Sequence, residues 1–150
     1  MIQVLSHKEL EVAKQIRDLF RVSYTVEAEL LNATDFPPLK RELENYRQSG
    51  NTFYGYFSEG TLAAAMEIDQ GPDSTHIQSL VVHPDFFRMG IGSALVSFVF
   101  STYSSKIFTV ETGAANKPAT ELYRKHGFRE ILQYDTDHGV RKVRFEIVLH

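Results

Sequence analysis

Two glycines, Gly90 and Gly92, stand one residue apart in the stretch FRMGIGSALV, after Arg88 and before an apolar run with helical spacing. Because glycine has no side chain, backbone amides at such a corner can point together into one hollow. The free amides and the dipole of the following helix favour an anion there. The spacing therefore indicates a phosphate-binding turn, although the glycines taken alone fit a purely structural turn at least as well.

Two common phosphate-binding patterns differ from this corner. A P-loop requires Gly-Lys followed by Ser or Thr, whereas this chain reads Gly90-Ile91-Gly92-Ser93 and has no lysine there. The dinucleotide-binding fingerprint needs Gly or Ala where this chain has Leu95, and it usually lies near the first strand rather than in mid-chain. Neither pattern accounts for the corner.

Other side chains along the sequence could move a proton. His76 precedes the corner on an apolar strand, and its near-neutral reference pKa suits a general base. Gln78, two residues on, is expected to face the same side, and Glu67 on the preceding strand is a second candidate base. Tyr123 is either a core tyrosine or a proton donor. Asn116 stands where a helix N-cap is expected.

The elements that must position these residues follow from apolar periodicity and turn signals. Strands are predicted over residues 2–5, 52–57, 61–69, 76–82, 107–110, 128–134 and 143–149. The first predicted helix begins at a capping box of Ser6 and Glu9 and ends before Phe36-Pro37-Pro38. Three further helices are predicted from residues that recur at helical spacing. The second carries Leu39, Leu43 and Tyr46, and the third carries Ile91, Ala94, Leu95, Phe98 and Val99. The fourth carries Ala119, Leu122 and Tyr123 and is capped by Gly127. This order predicts an α+β domain with one central mixed sheet.

Two stretches resemble motifs of the GNAT acyltransferase superfamily. LVVHPDFFRMGIGSALV is similar to the family's cofactor-binding segment, and NKPATELYRKHGF, one strand later, is similar to its Asn-x-x-Ala-x-x-Leu-Tyr-x-x-x-Gly-Phe helix. The resemblance spans nearly the whole chain and implies a single GNAT-like domain over residues 1–150. In that fold a central mixed sheet of about seven strands is flanked by about four helices.

The resemblance implies acetyl-CoA as co-substrate, with its pyrophosphate held by main-chain amides. Its pantetheine arm would pair with the backbone of Leu80 and Val82, in a gap between splayed strands four and five. The implied cofactor-binding residues are Leu80, Val81, Val82, Arg88, Met89, Gly90, Ile91, Gly92, Ser93 and Asn116. The chain departs from the family at Phe87, where Gln or Arg is usual, and Arg88 offers its charge one place later.

The resemblance also implies direct transfer of an acetyl group to a primary amine of a small molecule or peptide. The chain has no cysteine, so no enzyme thioester can form. Tyr123 matches the family's general acid, and His76 lies where some members carry a base, with Glu67 or a water chain as alternatives. The rival interpretations are a non-catalytic acyl-CoA-binding or sensing domain of the same fold, and an interaction module whose glycine corner is structural.

In the family the acceptor enters opposite the cofactor, between the first helices and the last hairpin. The residues of those parts that could contact it are Tyr24, Glu27, Glu29, Asp35, Phe36, Tyr54 and Tyr134. Carboxylates beside aromatic rings would suit a cationic amine. The last strands leave an edge exposed, which makes a homodimer through that edge plausible.

Composition bounds the remaining possibilities. A chain of 150 residues suits one domain, and its net charge of −3 gives no field that favours nucleic acid. The charged N-terminus does not read as a signal peptide, and the apolar runs are too short for a membrane span. We therefore expect a soluble cytoplasmic protein.

His83, His126, His138 and Glu111 have no metal-site spacing, so no metal is expected. The basic group Arg141, Lys142 and Arg144 fits a solvated strand face better than an anion site.

Overall fold

The computed structural model describes residues 1–149 and contains one sheet with helices on both faces. The strands are β1 (Ile2–Val4), β2 (Thr52–Ser58), β3 (Thr61–Gln70), β4 (Ser74–Val82), β5 (Ile107–Gly113), β6 (Arg129–Asp135) and β7 (Arg141–Val148). The α-helices are α1 (Leu10–Leu30), α2 (Leu43–Gln48), α3 (Ile91–Thr102) and α4 (Lys117–Lys125), and short 3₁₀ turns cover Pro37–Lys40 and Pro84–Phe86. The element order and the α+β class predicted from the sequence are confirmed.

The seven strands lie in the order β1-β2-β3-β4-β5-β7-β6, and all neighbours are antiparallel except β4 and β5. β4 pairs with β5 only from Ser74 to Ile77, opposite Ile107 to Val110. Beyond Ile77, β4 stays paired with β3, while β5 stays paired with β7. A bulge beside Glu67 and Ile68 shifts the β3–β4 register just where β4 leaves β5, which matches the tendency of bulges to bend a strand. The sheet therefore has the predicted gap.

The two faces of the sheet have separate cores. α3 and α4 contribute Leu95 and Tyr123 to a cluster that includes Ile77 and Phe145 from the strands. α1 and α2 cover the other face, where Phe20 packs with residues of β2, β3 and β4. Because strand side chains alternate in direction, a gap between β4 and β5 opens a passage between α1 on one face and α4 on the other.

Two local predictions are wrong. Glu9, not Ser6, precedes the first turn of α1, and its side chain makes no capping hydrogen bond. Residues 6–8 are instead held in a turn, because His7 Nε2 lies 2.8 Å from the Ser49 carbonyl oxygen and its ring packs on Phe53. The second helix begins only at Leu43, since the preceding prolines form a 3₁₀ turn that ends at Lys40.

The predicted helix end at Gly127 is confirmed, because that residue has the left-handed φ of +94° that glycine tolerates. Within residues 1–149, no helix combines the length and the apolar character that crossing a membrane requires. In the same part of the chain, no three His, Asp or Glu side chains come together as metal ligands.

Candidate active site

The gap between β4 and β5 opens into a cleft of about 370 Å³. Its walls come from α1, the segment before α2, the diverging strands, the start of α4 and the β6–β7 turn. The lining residues include Tyr24, Glu27, Phe36, Arg41, Gln78, Leu80, Glu111, Asn116, Tyr123, His138 and Lys142. The cleft thus collects polar side chains that are far apart in sequence.

Tyr123 lies on α4 with only 4% of its surface exposed, and it lines the cleft. Its ring packs edge-on against Phe128 at 5.7 Å, so it is also a core residue. Burial raises the pKa of its phenol, and the nearby Glu27 carboxylate raises that pKa further. Among residues 1–149 its hydroxyl makes no hydrogen bond. A phenol that stays protonated and has no fixed partner can donate to a group inside the cleft.

Asn116 joins the two walls of the cleft. Its side-chain oxygen accepts from the amide of Ala119 at 3.3 Å, which makes it the N-cap of α4. Its side-chain nitrogen donates to Glu27 Oε1 at 3.1 Å. The residue therefore caps a helix and also fixes a carboxylate of α1 in the cleft.

Glu27 is the acidic residue of α1 that lines the cleft. Partial burial raises the pKa of its carboxyl group, while the hydrogen bond from Asn116 and the charge of Lys142 lower it. Sequence reasoning placed Glu27 near the acceptor but did not single it out. The sequence does contain a pattern that indicates Glu27. The spacing i, i+3, i+7 places Tyr24, Glu27 and Leu31 on one face of the helix, so a single carboxylate interrupts an otherwise apolar stripe.

His76, the candidate base, lies on the part of β4 that still pairs with β5. Its Nδ1 is 2.7 Å from Thr109 Oγ1, and burial lowers the pKa of its imidazole. Within the described chain, His76 is not among the residues that line the cleft, although its neighbour Ile77 is. Alternation along the strand points His76 to the opposite face from Ile77.

Glu67, the alternative base, is bound in a buried network. Arg41 donates to its two carboxylate oxygens at 2.7 and 3.1 Å, and Asn51 donates to Oε2 at 2.9 Å. The Arg41 guanidinium also lies 4.1 Å above the Tyr46 ring. These contacts occupy the carboxylate and hold the segment before α2 against β3, where Arg41 forms part of the cleft wall.

The glycine corner forms an open turn at the start of α3. Arg88 and Gly90 have φ of 64° and 76°, and Gly90 is the helix N-cap. The first i to i−4 hydrogen bond of the helix runs from the Ala94 amide to the Gly90 carbonyl oxygen, at 3.0 Å. A Cβ built on Gly90 would meet no heavy atom within 4 Å. The amides before Ala94 precede the helical ladder, so they are free of its hydrogen bonds, as anion binding at a helix start requires.

The other residues of the predicted cofactor site surround this turn. Phe87 and Met89 are 45% and 63% exposed, so both side chains lie at the protein surface. Ser93 Oγ lies 2.8 Å from His126 Nε2, which fixes that hydroxyl. Ile91 is buried in the core of α3, where it anchors the turn. A Cβ on Gly92 would lie 3.2 Å from Leu122, so this glycine allows α3 and α4 to approach closely.

The three consecutive apolar residues of β4 alternate between the faces. Val81 is buried in the core beneath α1, whereas Leu80 and Val82 pack against the core beneath α3 and α4. Leu80 also lines the cleft. All three continue β4 beyond its last pair with β5, so one side of this strand segment borders the gap.

The residues predicted for the acceptor divide into two groups. Tyr24, Glu27 and Phe36 line the cleft. The others are engaged elsewhere: Asp35 pairs with Lys40, the hydroxyl of Tyr54 bonds that of Tyr103, Tyr134 donates to Glu111, and Glu29 is exposed. Sequence reasoning missed His138 as a lining residue, and it placed Lys142 on a solvated face, whereas Lys142 lines the cleft.

A family model described as the acetyltransferase (GNAT) family matches residues 13–128 of the chain. The chain belongs to the GNAT family. It is therefore an acyltransferase, and the general reaction of this GNAT domain is acetyl transfer. The resemblance seen in the two sequence motifs is confirmed.

One curated relative and two solved structures illustrate the match of this GNAT domain. The UPF0157 protein YqkA of Bacillus subtilis (strain 168) is 34% identical over 131 residues, which cover 87% of this chain but 38% of YqkA. The chain therefore spans well under half of that relative. The ribosomal-protein-S18-alanine N-acetyltransferase of Escherichia coli has a TM-score of 0.76 at 19% identity, covering 99% of this chain and 93% of its own. A GNAT family acetyltransferase from Elizabethkingia anophelis with acetyl-CoA bound has a TM-score of 0.62 at 18% identity, covering 80% of this chain and 88% of its own.

Proposed function

We propose that this GNAT domain is an N-acetyltransferase that moves an acetyl group from acetyl-CoA directly to a primary amine of a small molecule or peptide. The observation that carries the proposal is Tyr123, a largely buried residue that lines the cleft between two parting strands and whose hydroxyl has no protein hydrogen-bond partner within residues 1–149. The bound acetyl-CoA of the Elizabethkingia relative and the alanine N-acetylation named for the Escherichia coli enzyme support the donor and the amine acceptor.

The residues of the glycine corner fit the pyrophosphate of acetyl-CoA. The corner is free of side-chain obstruction at Gly90, and the α3 amides before Ala94 precede the helical ladder. Arg88 adds a positive charge beside them. The residues proposed to bind this co-substrate are those of the β4 end, the corner and the start of α4: Leu80, Val81, Val82, Arg88, Met89, Gly90, Ile91, Gly92, Ser93 and Asn116.

Acetyl-CoA would supply an acetyl thioester, which reacts with a neutral amine without a covalent enzyme intermediate. Tyr123 would then donate its proton to the departing sulfur. Its raised pKa keeps the phenol protonated at neutral pH, which an acid requires. The same pKa makes the reprotonation of Tyr123 favourable after each turnover.

Two groups could take up the proton that the amine loses. Burial lowers the pKa of His76, so its imidazole is neutral and able to accept a proton at neutral pH, but among the described residues it is not one that lines the cleft. Glu27 lines the cleft directly, and its raised pKa makes it a stronger base than an ordinary carboxylate. We propose Glu27 as the direct acceptor and retain His76 as the alternative.

Thermal melting with acetyl-CoA, followed by thiol release across an amine panel, tests this function. Acetyl-CoA at 100 times its dissociation constant should stabilise the fold by about 2.7 kcal/mol. No melting shift at millimolar acetyl-CoA would reject the cofactor-binding proposals altogether. A shift without thiol release would favour a sensing domain, an alternative that the exposed Phe87 at the usual Gln or Arg position supports.

A homodimer through the outer strand β6 is part of the same proposal. β6 lies at the edge of the sheet and is exposed along its length, with Ile131 and Leu132 half-exposed. A strand edge that carries apolar side chains favours pairing with a second copy. Sedimentation velocity of the protein and of a Leu132→Lys variant measures whether such a dimer forms.

A further inference from the structure

The charged side chains that line the cleft fall into two groups. Arg41 is neutralised by Glu67, which it contacts with two guanidinium nitrogens. Glu111 accepts from Arg144 Nη1 at 3.1 Å and from the Tyr134 hydroxyl. Both charges therefore have a dedicated partner within the protein, and neither is available to hold a ligand ion.

Glu27 and Lys142 remain after these pairs are set aside. Glu27 accepts a hydrogen bond from the neutral side chain of Asn116. Among residues 1–149 neither Glu27 nor Lys142 has an oppositely charged atom within 4.0 Å. Lys142 nevertheless lies near enough to Glu27 for its charge to act on the carboxyl group. The cleft thus holds one negative and one positive group that face the same space without touching.

His138 provides a second and independent observation. Its Nδ1 atom is fully buried and has no hydrogen-bond partner within the described chain, although the side chain lines the cleft. A buried polar atom without a partner costs free energy, so such atoms often mark a place where a ligand binds. His138 and Lys142 both belong to the β6–β7 hairpin, on the other side of the cleft from α1.

We propose that the acceptor of this domain is a free amino acid, whose amine faces Glu27 and whose carboxylate faces Lys142 and His138. The proposal rests on the proposed N-acetyltransferase function and specifies its substrate class. A zwitterion adds no net charge to a cleft that already holds one charge of each sign. A plain amine would leave Lys142 without its anion, so the same arrangement discriminates against it.

The reaction of such a substrate balances in atoms and protons. The acceptor arrives as an ammonium ion and must lose two protons as its nitrogen forms the bond to the acetyl carbon. The carbon–sulfur bond breaks, and the sulfur takes one proton from Tyr123, which one of the amine protons later replaces. The other proton leaves for solvent through Glu27, so the products are the N-acetyl amino acid, the free thiol and one proton.

A matched acceptor series tests the proposal on the whole protein. The twenty standard amino acids are first screened by thiol release with acetyl-CoA. The best one is then compared with its carboxamide and with the amine that remains when its carboxylate is removed. We expect kcat/KM to fall by about 10-fold or more for both analogues, because each lacks the group that pairs with Lys142.

Variants of Lys142 test whether this residue is the source of the preference for a carboxylate. Lys142→Gln should raise KM for the amino acid and reduce the ratio of its kcat/KM to that of the decarboxylated amine by about 10-fold, and Lys142→Arg should restore most of that ratio. Arg141→Gln is the matched control. Arg141 is the neighbour of Lys142 in the sequence, but its side chain pairs with the exposed Asp135 outside the cleft. Equal rates for the amino acid and the decarboxylated amine, or thiol release only with amines that lack a carboxylate, would overturn the proposal.

The test separates this inference from the proposed function. Acetylation of plain amines alone would overturn the amino-acid assignment while the N-acetyltransferase function stands. If acetyl-CoA shifts the melting temperature and no amino acid is either acetylated or bound, the assignment is overturned as well. No melting shift and no thiol release with any amine would instead reject the function itself.

Discussion

The side-chain amide of Asn116 donates to Glu27 across 3.1 Å, which links the N-cap of α4 to the inward face of α1. The two helices cover opposite faces of the sheet, so this hydrogen bond crosses the gap between β4 and β5. The helix that carries Tyr123 is thereby positioned relative to the carboxylate that faces the acceptor. Five predictions follow from this arrangement and its surroundings.

Replacement of Tyr123 by phenylalanine removes the proposed proton donor and keeps the ring. We expect the acetyl-CoA melting shift to be unchanged and kcat to fall by about 100-fold, within the usual range for general acid catalysis. Thiol release measures the rate. Tyr56→Phe is the control, because Tyr56 lies on β2 outside the cleft. An unaltered kcat in the Tyr123→Phe variant would remove the acid role.

Replacement of Glu27 by glutamine should stabilise the protein at neutral pH. The folded state raises the pKa of this carboxyl group, so ionisation of Glu27 is less favourable in the folded than in the unfolded chain. Its unfavourable contribution is present at neutral pH and disappears below the ordinary glutamate pKa of about 4.3. The melting temperature of Glu27→Gln should exceed that of the wild type at pH 7, and the difference should shrink towards pH 4. Glu29→Gln, on the exposed side of the same helix, should show no such pattern.

The pH dependence of kcat/KM distinguishes the two proposed bases. A base loses activity when it becomes protonated, so its pKa sets the acidic limb of the profile. If Glu27 accepts the proton directly, Glu27→Gln should lower the rate at every pH and remove that limb, while His76→Ala keeps its shape. Loss of the acidic limb in His76→Ala and its retention in Glu27→Gln would instead assign the base to His76.

Removal of the Arg41 guanidinium should strongly destabilise the fold. Arg41→Met leaves the Glu67 carboxylate buried without its cation, which typically costs about 3–5 kcal/mol of unfolding free energy. The double variant Arg41→Met with Glu67→Met should recover most of that loss, because no buried charge remains. Urea denaturation gives both values. Arg47→Met, which breaks an exposed pair with Glu44, should cost less than about 1 kcal/mol.

A side chain at Gly90 should obstruct the phosphate cradle. Gly90→Val also strains a backbone with φ of 76°, at a cost of about 1–2 kcal/mol. Gly60→Val is a matched control, since Gly60 has φ of 82°, the same open surroundings and a position in the β2–β3 turn. Both variants should lose similar stability in urea, and only Gly90→Val should lose affinity for acetyl-CoA in a melting titration. Equal affinity in the two variants would argue against the cradle.

The sequence predicts those parts of the molecule that local patterning determines. The strand ending in Leu80, Val81 and Val82 is separated from the glycine corner and α3 by a single short 3₁₀ turn, so their spacing in the sequence already indicates the turn. The capping box failed at Ser6 because residues 6–8 make contacts with Ser49 and Phe53 that no local pattern reveals.

The charges of the site depend on contacts that sequence patterns do not contain. Arg41 meets Glu67 only because the 3₁₀ turn before α2 returns the chain to β3, and Asn116 meets Glu27 only through the gap in the sheet. A charged side chain that has an ion-pair partner within the protein is not available to a ligand, whereas one without such a partner is. That distinction, which leaves Glu27 and Lys142 free of ion pairs within residues 1–149, depends on the folded positions of all four charged side chains.

The short parallel pairing of β4 with β5 has a mechanical consequence. Within residues 1–149, only four residue pairs join the four-stranded part of the sheet to the three-stranded part. We therefore expect the sheet to bend at this seam more readily than within either part, because bending there leaves the strand hydrogen bonds of both parts intact. Such bending would change the width of the cleft while the side chains on each part of the sheet keep their own geometry.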